Sequence, residues 1–185
     1  PYIFIENDRV QGIPSVKKPK NMYGTPGMML PNWELDELLP TFMNRAVDYI
    51  DHHATEKSEN PFFLQLTTTS PHTPIVPSKE FIGKSQAGPY GDLVFQTDFV
   101  LGEIRAALKR NGLLENTIII FTSDHGIFWG EYGLGGKALC YEICTRVPMI
   151  IHNPMSSGAA KGIITNELVQ TIDIAPTMLQ YAGIK

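Results

Sequence analysis

The densest chemistry in this chain sits at Asp124 and His125, within Thr117-Ile118-Ile119-Ile120-Phe121-Thr122-Ser123-Asp124-His125-Gly126. A carboxylate beside an imidazole can bind a metal ion or move a proton. The run Ile118 to Phe121 is apolar, β-branched and aromatic, which suits a strand buried on both faces of a parallel sheet. Ligand crevices of open α/β sheets lie outside the carboxyl ends of their strands, which is where Asp124 and His125 fall. Gly126 would permit a sharp turn. The same four residues, Ser-Asp-His-Gly, also suit an ordinary turn.

Two further segments carry single reactive groups. His72 lies in Ser70-Pro71-His72-Thr73-Pro74, where two prolines stiffen the loop. It follows a second strand expected over Pro61-Phe62-Phe63-Leu64-Gln65-Leu66-Thr67. Lys137 closes the glycine-rich stretch Gly130-Glu131-Tyr132-Gly133-Leu134-Gly135-Gly136-Lys137. Backbone with so little side chain can approach an anion, and the ammonium supplies a point charge. The stretch lacks the spacing of a phosphate-binding P-loop. Taken singly, each reads equally as a surface loop.

Helices must position these groups. Phe42, Met43, Ala46, Val47 and Ile50 repeat at three and four, predicting a helix from Leu38 or Pro40 to Thr55. Pro40 fits its first turn, and His52 and His53 fit an exposed last turn. A second helix is expected from Tyr90 to Arg110, with Val94, Leu101, Ile104 and Leu108 on one stripe, Val100 and Ala107 beside it, and Asn111-Gly112 as its stop. Gly102 within it suggests close packing on a sheet, and Asp98 a structural acceptor. A strand over 147–152 and helix over 166–182, broken near Pro176, complete an α/β pattern. Residues 11–33, with four prolines, read as one long loop, either a wall of a substrate pocket or a flap.

In order and spacing, these segments resemble the sulfatase family of the alkaline-phosphatase-like superfamily. The matching stretches are Phe63-Leu64-Gln65-Leu66 with His72-Thr73-Pro74, Gly112 to Thr117, Phe121 to Gly126, Gly136-Lys137, Tyr141-Glu142 with Arg146-Val147-Pro148, and Asp173 with Ala175-Pro176-Thr177. The resemblance implies an α/β fold, a mostly parallel sheet flanked by helices, with residues 1–185 forming part of one catalytic domain. It implies hydrolysis of carbohydrate or aryl sulfate esters. Asp124 and His125 would be metal ligands, calcium being the usual metal. His72 and Lys137 would face the sulfate oxygens, with His125 beside the nucleophile or relaying a proton.

The family's C-x-P-x-R motif, source of its formylglycine nucleophile, is not in this sequence. Cys140 and Cys144 do not supply it, and read as free thiols. The chain is therefore expected to be an inactive middle-to-late segment of a longer enzyme. A phosphate- or phosphonate-ester hydrolase of the same superfamily, and a non-catalytic binding domain without the nucleophile, are the alternatives. Tyr132 stands where relatives with Gly-Glu-His-Gly have His. Phe128, Trp129 and Tyr132 read either as an aromatic rim for a sugar or aryl ring or as loop packing.

Composition is that of a globular piece. Of 185 residues, 43% are hydrophobic and 18% charged, and the formal charge is −4. That balance argues against disorder and against a nucleic-acid surface. No apolar run reaches membrane-spanning length, so no membrane partner is expected. A periplasmic, secreted or lysosomal setting follows from the family resemblance alone. Self-association through an uncovered sheet edge is also expected.

Overall fold

Two helices form the frame that the periodicity predicts. In a computed structural model, describing residues 1–56, 59–137, 139–156 and 162–184, α1 spans Leu38–Thr55 and α2 spans Gly88–Arg110. Pro40 and Pro89 lie in their first turns, where a missing N–H leaves no helical bond unmade. Gly112, at φ 69°, ends α2 in the left-handed conformation that glycine adopts freely.

The chain divides into two units, Pro1–Leu114 and Glu115–Lys185. In the first, α1 packs on α2 through Leu39, Leu93 and Val100, with Met43, Leu66 and Ile75 against them. Ile50, Ala107 and Leu108 are also buried. The Asp51 carboxylate joins the helices, accepting from Arg110 and Asn111, and these bonds hold its pKa below the ordinary aspartate value. Before α1, strands β1 (Ile5–Glu6) and β2 (Arg9–Val10) pair antiparallel, as do β3 (Val16–Lys17) and β4 (Met28–Met29). The supposed long loop over 11–33 thus contains a ladder, bridged to Tyr2 through Met29. Residues of it, with Glu34 to Asp36 and Val76, line a cleft of about 320 Å³.

Several details differ from the sequence reading. The buried stripe of α2 runs through Asp92, Leu93, Gln96, Val100, Ala107 and Leu108, while Val94 is exposed. The apolar count found Val100, Ala107 and Leu108 but passed over Asp92 and Gln96, which are polar and hydrogen-bonded. Asp98 is exposed, and the acceptor role falls to Asp92. Gly102 faces open space, with nothing within 4 Å of a built Cβ, so it marks no close packing. His53 is not a free last-turn residue. It lies between Tyr49 and Phe62, with ring centroids 6.5 and 4.9 Å away.

Pro61–Thr67 has the geometry of a strand without its ladder. Exposure alternates residue by residue from Pro61 to Ser70, the period-two signature of extended chain. Phe62, Leu64 and Leu66 face inward, and Phe63 is exposed. No backbone ladder to another strand forms among the described residues.

In the second unit, β5 (Ile119–Thr122) pairs antiparallel with β8 (Met149–His152), Ile120 opposite Ile151 and Phe121 opposite Ile150. The sequence led us to expect parallel neighbours and two covered faces. Here β5 has one ladder neighbour, and its four residues are only half-buried. Between them come β6 (Phe128–Trp129), β7 (Gly135–Gly136) and one turn of helix, α3 (Glu142–Thr145). The last helix, α4, spans Ile174–Tyr181. A 3-10 turn, Thr171–Asp173, capped by Gln170 and Asp173, leads into it, and the helical segment starts later than expected. That places Pro176 inside the first turn, where it breaks nothing.

Candidate functional site

Asp124 follows β5 by two residues, and its side chain is 79% exposed. His125 Nε2 stands 3.2 Å from its Oδ2, and the Ser123 hydroxyl lies 3.4 Å from Oδ1. The His125 backbone N–H, the imidazole and the Ser123 hydroxyl hold the Asp124 carboxyl below the ordinary aspartate range. An accessible oxygen donor that stays charged is what a hard divalent cation requires. The other imidazole nitrogen, Nδ1, lies 3.1 Å from the Gly126 carbonyl oxygen. That contact fixes the ring with Nε2 toward Asp124.

Gly126 positions this pair by a route the sequence reading did not foresee. Its φ is not in the left-handed region, so a sharp turn is not the reason for glycine. Instead a Cβ there would lie 1.9 Å from the Ile143 carbonyl oxygen. The Gly126 N–H donates to Cys144 O at 2.9 Å. The backbone after His125 is therefore pressed against α3, and only a residue without a side chain allows it. Cys144 is buried and Cys140 exposed, both as free thiols.

From there the chain enters the β6–β7 hairpin, Phe128 opposite Gly136 and Trp129 opposite Gly135. Gly130, at φ 118°, turns it, and the Glu131 carboxylate accepts from the Trp129 N–H at 2.6 Å. The glycines let the two strands meet without side-chain obstruction, and they deliver Lys137 to the hairpin's end. Lys137 is exposed and has no ion-pair partner among the described residues. The ammonium is thus available to an anion.

His72 belongs to the first unit. Its loop is held at both ends by α2. Thr97 Oγ1 bonds Ser70 Oγ at 2.7 Å. Gln96 clamps the far end: its Oε1 accepts from Ser78 N at 2.9 Å and its Nε2 donates to Ser78 Oγ at 2.7 Å. Gln96 is 2% exposed. The peptide bonds before Pro71 and Pro74 are cis. His72 Nδ1 lies 2.7 Å from Thr73 O, leaving the ring exposed on a rigid mount. Gln96 and Thr97 were not legible as site-supporting residues, since a helix-borne amide and hydroxyl carry no motif. Their only signal was polarity on an otherwise apolar stripe.

The structure thus brings Asp124 and His125 together, places Lys137 on the hairpin that follows, and mounts His72 on the first unit. Among the described residues, no group of three or more His, Cys, Asp or Glu could hold a metal ion. Asp124 fits calcium as one oxygen donor, and the described residues do not complete a shell of six to eight.

The fold is a partial α/β domain of alkaline-phosphatase-like architecture, as its structural neighbours show. The solved structure of PsFucS1 sulfatase from Pseudoalteromonas sp. superposes with a TM-score of 0.69 at 29% identity, over 87% of this chain and 34% of its own. That of Ps i-CgsB in complex with k-i-k-neocarrahexaose gives 0.70 at 28%, over 80% and 34%. The Sulfatase family model matches residues 5–184, and the chain belongs to the sulfatase family. Arylsulfatase D of Homo sapiens is 34% identical over 80% of this chain. The N-acetylgalactosamine-6-O-sulfatase of Bacteroides thetaiotaomicron is 36% identical over 66%. The chain spans about a quarter of the length of these curated relatives.

Proposed function

We propose that this chain is part of a sulfuric ester hydrolase acting on carbohydrate or aryl sulfates. The observation that carries the reading is the Asp124 carboxylate, exposed, held ionised and joined to His125, at the end of β5 in a chain of the sulfatase family. The names of similar proteins, an arylsulfatase and a sugar-6-O-sulfatase, support that substrate range.

A sulfate ester presents an anionic group to its nucleophile, so the site must concentrate positive charge. Lys137 brings one fixed charge; a role for His72 toward the sulfate is a family expectation. Asp124, with His125 at its edge, would hold a divalent cation, calcium by family expectation, which when bound adds positive charge near the sulfate. The nucleophile, a formylglycine by the same expectation, would come from a segment outside these 185 residues. The chain alone should therefore turn over no sulfate ester.

The test is kinetic, in the longer parent protein, with a chromogenic aryl sulfate and a 6-sulfated amino sugar. Asp124→Ala should abolish turnover of both. Near-normal kcat/KM in that variant, or a parent that cleaves the matching phosphate esters in preference to sulfates, would overturn the reading.

A further inference from the structure

Tyr132 occupies a place that folding does not explain. It sits at the tip of the β6–β7 hairpin with φ 57° and ψ 19°, the left-handed region. An L side chain with a Cβ is disfavoured there, and an aromatic one has no compensating local hydrogen bond of the kind Asn or Asp can make. Burial does not repay the strain either, since Tyr132 is 77% exposed. Its neighbours Gly130 and Gly133 also take positive φ, so glycine is available to this turn and yet is not used at 132. Outliers of this kind point to function when packing fails to account for them.

The ring is not loose. Tyr132 and Tyr141 lie 6.0 Å apart at 32°, and both rest on Phe128 at 6.4 and 5.5 Å with steep angles. Phe128 is 3% exposed and forms the floor. Tyr141 is half exposed, and Trp129 beside them is 60% exposed. The result is a supported aromatic surface, open on its outer side. Its hairpin also delivers Lys137. Lys137 follows Gly135, the ladder partner of Trp129, by two residues, about 7 Å along the strand.

We propose that Tyr132 and Tyr141 form a platform for the ring of the sulfated substrate, and that Tyr132 determines selectivity for ring-bearing over alkyl sulfates. The chemical class is a pyranose or aryl ring whose apolar face lies on the tyrosines while its sulfate points toward Lys137. This rests on the sulfuric ester reading of the site. Strain at position 132 presents the phenol ring outward at the hairpin tip, and the substrate ring covers the exposed aromatic surface.

The experiment compares Tyr132→Gly, Tyr132→Phe and Tyr141→Ala in the parent enzyme. The substrates are 4-nitrophenyl sulfate, N-acetylgalactosamine 6-sulfate and hexyl sulfate. Loss of one stacked ring should raise KM for the two ring substrates about three- to tenfold with kcat held. Hexyl sulfate should be unaffected, and Tyr132→Phe should behave as wild type. Hydrogen exchange over residues 128–136 supplies the structural control. Tyr132→Gly relieves the left-handed strain, so protection there should hold or rise. A hairpin that frays in this variant would make Tyr132 a packing residue and overturn the inference, as would equal losses on all three sulfates. A parent that cleaves none of them would sink the sulfuric ester reading instead. The platform is then judged by saturation-transfer NMR of methyl N-acetylgalactosaminide on the 185-residue chain. Signal lost in Tyr132→Gly upholds it, and unchanged signal refutes it.

Discussion

Gly126→Ala should dismantle the local structure that carries Asp124 and His125. The new Cβ would stand 1.9 Å from the Ile143 carbonyl oxygen and 3.1 Å from the carbon of that carbonyl. Both are backbone atoms, so no side chain can swing aside. Relief requires the segment after His125 to retreat from α3 by more than about 1 Å, since Cβ contacts under 3.0 Å are essentially never seen. That retreat stretches the 2.9 Å bond from Gly126 N–H to Cys144 O beyond hydrogen-bonding range. Overpacking costs about 1–3 kcal/mol and the lost bond about 1 kcal/mol. The expected destabilisation of the second unit is about 2–4 kcal/mol. Hydrogen exchange read by mass spectrometry resolves it, because peptides covering β5 and α3 report on this unit alone. Their protection should fall roughly thirty- to several-hundred-fold. Gly102→Ala is the matched control. Its Cβ meets nothing, so removing a mid-helix glycine should stabilise α2 by about 0.5–1 kcal/mol. If Gly126→Ala exchanges like wild type, the close approach to α3 is not what places glycine there.

Four other outcomes follow from the geometry. Gln96→Ala leaves the buried Ser78 N–H unpaired and empties a packed site, costing about 3 kcal/mol in urea unfolding; a loss under about 1 kcal/mol would deny the clamp. In the parent enzyme, Lys137→Ala and His72→Ala should each cost about 3 kcal/mol of transition-state stabilisation, as for one lost oxyanion donor; unchanged kcat/KM would remove that residue from the site. Asp92 accepts from the Ser85 and Gly83 N–H groups at 2.7 and 2.8 Å, and these bonds depress its pKa. Its stabilising effect is complete above the unfolded-state pKa and disappears as pH falls through the lower folded value. Melting temperature should therefore decline less steeply on acidification in Asp92→Asn than in wild type, and parallel profiles would contradict this. Finally, Pro61–Ser70 has no ladder partner among the described residues, so the isolated chain should self-associate in sedimentation runs at rising concentration, and Phe63→Lys should suppress it; concentration-independent monomer would count against an open edge.

The helices were legible because their signals are local. Three-and-four spacing, Pro40 or Pro89 in the first turn and Asn111-Gly112 at the end are written within a few residues of each boundary. Asp124, His125, His72 and Lys137 could be singled out because each stands beside glycine or proline punctuation. What could not be read depends on distant partners. Whether β5 meets a parallel or antiparallel neighbour is decided by β8, about thirty residues on, and both choices suit the same apolar run. The reason for Gly126 lies in the backbone of α3, which its own neighbours do not reveal. The polar members of the α2 stripe were invisible to an apolar count, since Asp92 and Gln96 are buried for their hydrogen bonds. Where the last helical segment begins hinged on one capping pair, Gln170 and Asp173, which caps the 3-10 turn ahead of α4, against an apolar pattern that runs on through both.

The anchorage of the His72 loop has a consequence for engineering. Both of its fixed ends, Ser70 and Ser78, are tied to side chains of α2 rather than to a strand neighbour. The seven residues between them behave as a cassette whose seams are two serines and whose sockets are Thr97 and Gln96. A segment of equal length that keeps Ile75, which packs on the α1–α2 core, and carries another functional group at its second position, that of His72, could be exchanged there with the core intact. Chemistry at this corner is thereby separable from folding, and the seams mark where a recombined enzyme should be cut.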